Sequence, residues 1–272
     1  MKEISIVTSD GLKDWYLLDA VADVWRKSGY RVVTGTKYSP NADVIVLHQN
    51  LTKIGSSTLP PASIDVPVLN AKVLDISKRV YSTLLLEPED VWSGAVIIKS
   101  NLNHFGIPEK RMAPLDVMTV LRQQLAKLSW QHARVLPVRT YPVLNGLSEV
   151  PDWVWRSDDL IVEKFMPERA DGLFCLRGWI FFGSRSYGYR LFSTEPMVKV
   201  GTMVRHEFFD RIPEELKIIR DKMGFDYGKF DYVEHEGQAI LLDANKTPSY
   251  AGAKDTPRVR LLASGIEEFL VR

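Results

Sequence analysis

A single cysteine, Cys175, stands among 272 residues. No intrachain disulfide can form, and a reducing compartment is the simpler setting. No apolar run approaches the roughly 18 residues of a membrane helix. Met1-Lys2-Glu3-Ile4 leads straight into a strand pattern, with no charged n-region followed by an apolar h-region. A cytoplasmic protein with no membrane partner is therefore expected. A formal charge of +1 gives no electrostatic case for a nucleic-acid partner. The histidines (His48, His104, His132, His206, His235) lack paired metal-ligand spacing, which argues against zinc. No G-x-G-x-x-G follows the first strand pattern, so a dinucleotide site there is not expected. Internal repeats and low-complexity tracts are missing too. What remains is an ordinary composition, 45% hydrophobic and 25% charged, on a chain long enough for two or three subdomains.

Ile4 to Val7 reads as a strand and Leu12 to Ser28 as a helix, with Leu18, Val21, Ala22 and Trp25 on one face. Gly29 stands where a helix end favours a left-handed residue. Arg31–Gly35 and Val44–Leu47 read as further strands, and Val68-Leu69-Asn70 as a last one. The opening segment is thus a small, partly parallel α/β domain. Proline-rich Leu59 to Pro67 punctuates it. Ile76 to Leu86 has helical spacing, Ala95 to Lys99 is a buried-strand pattern, and Leu115 to Leu128 is again helical. Leu160 to Pro167 reads as a strand that the proline ends. Leu173–Phe182 and Ser186–Ser193 form a hairpin pattern carrying Arg177 and Arg190. A helix over Pro213–Lys222 precedes a second hairpin, and Arg258–Leu270 closes the chain as a helix.

The second hairpin, Tyr227 to Pro248, is the most informative stretch. A three-residue loop from His235 to Gly237 would pair Asp231 with Leu241 and Lys229 with Asp243. Side chains alternate faces with period two, so Asp231, Asp243 and Asn245 would share one face. Hard oxygen ligands in that arrangement suit Mg²⁺ with phosphates; a surface hairpin with solvated acids has the same pattern. Lys99, delivered by a strand to the polar loop Ser100–Gly106, suits phosphate binding, although a lysine at a strand end is commonplace. His104 in that loop reads as a loop histidine or a phosphate contact. Arg177 and Arg190 either cap a sheet edge or grip anionic oxygens.

The order of these segments resembles the ATP-grasp superfamily from about Leu74 to Pro248, in its glutathione synthetase-like, carboxylate-amine ligase form. Asp231, with Asp243-Ala244-Asn245-Lys246-Thr247-Pro248, is similar to the family's carboxylate followed by carboxylate-x-Asn-x-x-Pro, which holds two Mg²⁺ ions. Asp243 replaces the usual Glu. Val162-Glu163-Lys164-Phe165-Met166 is similar to the hinge whose main chain binds adenine, with Glu163 or Glu168 taking the ribose. Lys78 and Lys99 correspond to the phosphate-contacting lysines. Arg177 and Arg190 correspond to arginines at the transferred phosphoryl and acyl phosphate, with Lys199 a further cation of that kind.

The resemblance implies α/β and α+β architecture: an N-terminal α/β domain over 1–73, then a two-lobed ATP-grasp domain over 74–272, with lobes of about 74–162 and 163–272. It also implies an ADP-forming ligase that uses ATP and Mg²⁺ to join a small-molecule or peptide carboxylate to an amine. The family's tendency to dimerise leaves a homodimer open. An ATP-grasp small-molecule kinase and a catalytically retired nucleotide-binding protein are the alternatives. An anionic substrate would suit Arg122, Arg134, Arg139 and Arg156, which equally read as solvated surface arginines.

Overall fold

A computed structural model describes residues 1–61, 64–112, 117–138 and 140–270. The chain divides into two compact units, one of Met1–Asp75 with Pro167–Arg272 and one of Ile76–Met166. The N-terminal segment of the first unit runs β1 (Glu3–Val7), α1 (Leu17–Lys27), β2 (Arg31–Gly35), β3 (Val44–Leu47) and β4 (Val68–Leu69). These strands make an all-parallel sheet in the order β2-β1-β3-β4. β1 and β3 are buried along their whole length, as continuous apolar runs are in parallel sheets. On α1 the stripe Leu18, Val21, Ala22 and Trp25 is buried, and Gly29 adopts the left-handed φ of +89°.

The helix starts five residues later than its spacing predicts. Backbone pairing explains the difference. Tyr16 bridges to Ser249, the Leu17 N–H donates to the Pro248 carbonyl at 2.9 Å, and the Tyr250 N–H donates to the Trp15 carbonyl at 2.7 Å. Groups that would have closed the first helical turn are bonded to a distant strip of chain instead.

The second unit contains α2 (Lys78–Tyr81), β5 (Leu85–Leu86), β6 (Val96–Ser100), α3 (Ile107–Met112), α4 (Val117–Ala133), β7 (Val143–Leu144), α5 (Asp152–Trp155) and β8 (Leu160–Lys164). Its antiparallel sheet has the order β5-β8-β6-β7. The helix expected over Ile76–Leu86 is one turn only, because Leu85 and Leu86 pair with Glu163 and Val162. Strand partnership there overrides helical spacing. β8 stops at Lys164, short of Pro167. Of the helix expected over Leu115–Leu128, the first two positions lie outside the described residues. The rest is α4, whose Leu121, Leu125 and Leu128 are exposed rather than buried.

The chain then returns to the first unit with β9 (Glu168–Ala170), β10 (Leu173–Phe182), β11 (Arg185–Ser193), β12 (Met203–Phe209), α6 (Glu214–Met223), β13 (Tyr227–His235), β14 (Gln238–Asn245), α7 (Pro257–Ser264) and α8 (Glu267–Leu270). These strands form one antiparallel sheet, β12-β11-β10-β13-β14, with β9 beside β10. The expected closing helix is two, and Thr256 caps the first by accepting from the Val259 N–H at 3.2 Å. Ile4, Ile6, Leu18 and Trp25 share a core with Phe182, Tyr227 and Leu262. Asn70 reinforces that join, donating to the Tyr227 carbonyl and accepting from the Asp226 N–H. Among the described residues no helix is long and apolar enough to cross a membrane.

Candidate active site

Glu236 and Gly237, both at positive φ (51° and 78°), close the β13–β14 hairpin in two residues, so His235 pairs with Gln238. Consecutive left-handed residues match the right-handed twist of the strands better than the three-residue loop expected from the sequence. On that register alone Asp231 would face Leu242. A bulge between Asp231 and Tyr232 shifts the pairing by one, putting Asp231 opposite Asp243 and Lys229 opposite Asn245. The expected face is therefore formed by a different route: Asp231, Asp243 and Asn245 lie together, with Lys229 beside them.

Lys229 is a member of this face that sequence reasoning did not weigh. Its Nζ lies 2.7 Å from Asp231 Oδ2, with side chains 21% and 17% exposed. The Tyr189 hydroxyl donates to the other oxygen, Oδ1, at 3.3 Å. Burial raises the Asp231 carboxyl pKa; Lys229 and Tyr189 oppose the rise, and the Asp243 charge adds to it. Burial would lower the Lys229 pKa, but Asp231 and its other anionic neighbours outweigh that and raise it, so the ammonium form is held. Tyr189 is pushed up to about 12 by burial and then by the Asp231 charge. Gly178 makes this contact possible: a Cβ there would lie 2.2 Å from Tyr189 Cζ. Its missing side chain lets the ring lie across β10. Lys229 could have been read from its position two before Asp231, whereas Tyr189 needed the register.

Register separates the other expected cations from this face. Gly178, not Arg177, stands opposite Asp231; Arg177 pairs with Tyr232 and with Arg190. Arg177 and Arg190 therefore project from the opposite side of the sheet. Arg177 grips Glu168 through Nε (3.0 Å) and Nη2 (2.7 Å) and reaches Glu234 at 3.0 Å. Glu168 also accepts from the Glu234 N–H at 2.8 Å. Arg190 pairs with Glu207 at 2.6 Å. Cys175, buried nearby, is pushed up to about 12 by burial, as suits a structural thiol. Lys199 lies in an exposed turn, where its carbonyl accepts from the Thr202 N–H at 3.0 Å.

In the second unit, Lys99 and Glu163 form a buried ion pair at 2.6 Å on one face of the β6–β8 sheet. Glu163 Oε1 is buried without a hydrogen-bond donor, the kind of vacancy a ligand hydroxyl would fill. Lys78 is buried, and its Nζ donates to the Leu102 carbonyl at 3.3 Å. At the hinge, the Lys164 N–H donates to the Leu84 carbonyl and the Phe165 N–H to the Ala95 carbonyl, both at 2.9 Å. Those two amides are committed to the fold. Met166 ends the unit, and Lys164 Nζ lies 5.0 Å from the Trp92 ring centroid. His104 is exposed at the start of the run His104, Phe105 and Gly106, all at positive φ. Arg122 is exposed and Arg156 pairs with Asp152 on the surface. Arg139 lies outside the described residues.

Among the described residues no group of three or more His, Cys, Asp or Glu side chains is placed to hold a metal. The hairpin offers two facing carboxylates and an amide instead. Asn245 Oδ1 accepts the Thr247 N–H at 2.8 Å, and the Thr247 hydroxyl lies 3.1 Å from Asn50 Oδ1. That turn presents the Asn245 amide next to the acids. At Asp231 the Lys229 charge outweighs that of Asp243, and burial is what disfavours the carboxylate; the two acids and the amide are the hard oxygen donors that a divalent cation takes.

No family model matches the sequence, and no curated protein matches it either. Solved structures match along nearly the whole chain. The macrocyclase MdnC bound with precursor peptide MdnA, from Microcystis aeruginosa MRC, is 10% identical, covering 98% of this chain and 100% of its own, with a TM-score of 0.54. A RimK domain ATP-grasp protein from Sphaerobacter thermophilus is 11% identical, covering 98% and 99%, with a TM-score of 0.50. At such identities the likeness is one of fold, and the fold is ATP-grasp.

Proposed function

From the ATP-grasp fold, we propose that the chain is an ADP-forming ligase that activates a carboxylate for attack by an amine. The observation that carries this reading is the polar face of the β13–β14 hairpin, with Lys229, Asp231, Asp243 and Asn245 together. A substrate carboxylate oxygen would attack the γ-phosphorus and the bond to the β-phosphate oxygen would break, releasing ADP. The amine would then attack the acyl carbon, phosphate would leave, and the nitrogen would lose a proton. Such chemistry asks a protein mainly for positioning and for stabilisation of spreading negative charge.

Lys78 and Lys99 would offset phosphate charge. Glu163 suits the ribose better than Glu168, because Glu163 retains an unmet oxygen while Glu168 is saturated by Arg177 and the Glu234 amide. With the Lys164 and Phe165 amides committed, an adenine edge would turn to the hinge carbonyls. Lys229 takes the phosphoryl-stabilising role that the resemblance assigned to Arg177 and Arg190, and Lys199 stays a candidate on the substrate side. Asp231, Asp243 and Asn245 would hold Mg²⁺, which when bound supplies charge neutralisation at the phosphates. Residues 1–73 would form the preceding domain, and 74–162 and 163–272 the two lobes. The peptide carried by the MdnC neighbour makes peptide carboxylates as reasonable a substrate class as small acids.

Hydroxylamine trapping with Mg·ATP and a panel of peptide and small-molecule acids tests the reading. Acid-dependent ADP with an acyl hydroxamate is expected. Lys229→Met should lower kcat by about 10²-fold or more, in the range for loss of one preorganised charge-stabilising group. Phosphate retained on a substrate hydroxyl would instead identify a kinase. No acid-dependent ADP from any acid would overturn the ligase reading.

A further inference from the structure

We propose that the unit Ile76–Met166 carries a second ligand site, a pocket for an organic carboxylate with an apolar body. The cavity has a volume of about 640 Å³, within the range of small-molecule sites. Its walls are apolar, formed in part by Leu102, Phe105, Leu136, Trp153 and Leu160. Lys110, Arg111 and Arg134 also line it, against one acid, Asp159. None of the three cations has an ion-pair partner among the described residues, and all are exposed. An anionic head with a greasy body complements that combination of apolar walls and unbalanced positive charge.

Two further observations point to a ligand. The Trp153 indole N–H is buried without an acceptor, a vacancy that calls for explanation. Phe105 and Arg134 sit at φ of 60° and 53°, a left-handed backbone that is unfavourable for residues of their size. Arg134 takes that conformation as the residue that closes α4, with the Val135 N–H donating to the Trp130 carbonyl at 3.4 Å; Phe105 ends no such helix, and strained residues of its sort gather at binding sites.

The pocket is separate from the lysine-bearing face. Ser100 and Leu160, which line it, are cross-strand partners. They alternate with Lys99 and Ile161, so their side chains project from the opposite side of the β6–β8 sheet. An occupant here would not compete with a nucleotide held by Lys99 and Glu163, and the inference stands whether or not the chain is a ligase.

The probe is 8-anilinonaphthalene-1-sulfonate, an aromatic anion whose emission rises in apolar surroundings, with 2-naphthoate as the carboxylate competitor. Saturable binding of one probe per chain is expected, displaced by 2-naphthoate and unaffected by saturating Mg·ATP. Arg111→Glu/Arg134→Glu should weaken it by about tenfold or more, an effect of roughly 1.4 kcal/mol. Both positions are exposed, so the variant should fold, which circular dichroism and a melting curve would verify. Leu136→Trp, which fills the cavity, should abolish the site without reversing any charge. Undiminished binding in both variants, failure of 2-naphthoate to displace the probe, or displacement by Mg·ATP would each overturn the proposal.

Discussion

Replacing Arg177 by methionine separates a buried structural ion pair from a catalytic arginine. The Arg177 and Glu168 side chains are 16% and 6% exposed and joined by more than one charge-assisted hydrogen bond. Removing the guanidinium leaves the Glu168 carboxylate buried with no cation of its own, held by the Glu234 N–H and the Cys175 thiol. Breaking one partner of such a pair costs about 3–5 kcal/mol. The contact with Glu234, whose side chain is 32% exposed, adds at most about 1 kcal/mol. For a chain of this size the loss corresponds to a fall in Tm of roughly 6–15 °C. Urea unfolding followed by tryptophan fluorescence would measure it. Arg177→Met/Glu168→Gln, which removes the stranded charge as well, should recover about half of the loss or more. Mg·ATP affinity, taken where the variant is still folded, should change by less than about threefold, or 0.7 kcal/mol. A stability loss below about 1 kcal/mol, with nucleotide affinity collapsed, would refute the reasoning and return Arg177 to the active site.

Gly178→Ala places a methyl group 2.2 Å from the Tyr189 ring and should destabilise by about 1–3 kcal/mol. In a Tyr189→Ala background the same change should be nearly silent in urea unfolding; an unchanged penalty would mean that the clash lies elsewhere. His48 is fully buried with neither ring nitrogen hydrogen-bonded, and burial lowers its pKa to about 3. The unfolded chain therefore binds a proton that the folded chain refuses between about pH 6.5 and pH 3. His48's contribution is complete above pH 6.5 and is lost at about 1.4 kcal/mol per pH unit as pH falls through that window. His48→Phe should flatten the acid limb of the stability profile, and an identical slope in both proteins would contradict the assignment.

Period-two patterns were legible where a strand carries its own apolar signal. β2, β3 and β10 lie where the sequence predicts them. Helical spacing misled where distant chain competes for the backbone, as the Pro248–Tyr250 strip does before α1 and as β8 does at Leu85 and Leu86. The acids at 231 and 243 were legible from residue type and parity. Setting Arg177 and Arg190 apart from them was not, because the face a side chain takes depends on cross-strand register, which a strand read alone does not carry. Lys229 shows the converse. Its place two residues before Asp231 was visible, but its meaning came from the 2.7 Å ion pair.

Leu242, the residue taken up by the bulge, has a bearing on how this hairpin can change over evolution. A two-residue turn and a bulge together displace β14 by the same single step as a three-residue turn without a bulge. Length at the tip and irregularity in the strand are thus interchangeable. It is the bulge that keeps the polar face together: were Leu242 paired in regular register, Asp231 would face it and Asp243 and Asn245 would turn to the far side of the sheet. Loss of Leu242 alone would close the bulge and leave Asp243 directly opposite Asp231, because the two-residue turn already sets Asp231 against the position after Leu241. Loss of Leu242 with one residue gained between His235 and Gln238, a three-residue turn without a bulge, would keep the same pair. In comparisons among distant chains, a gap at the tip or at the bulge is therefore no sign by itself that the two acids have parted.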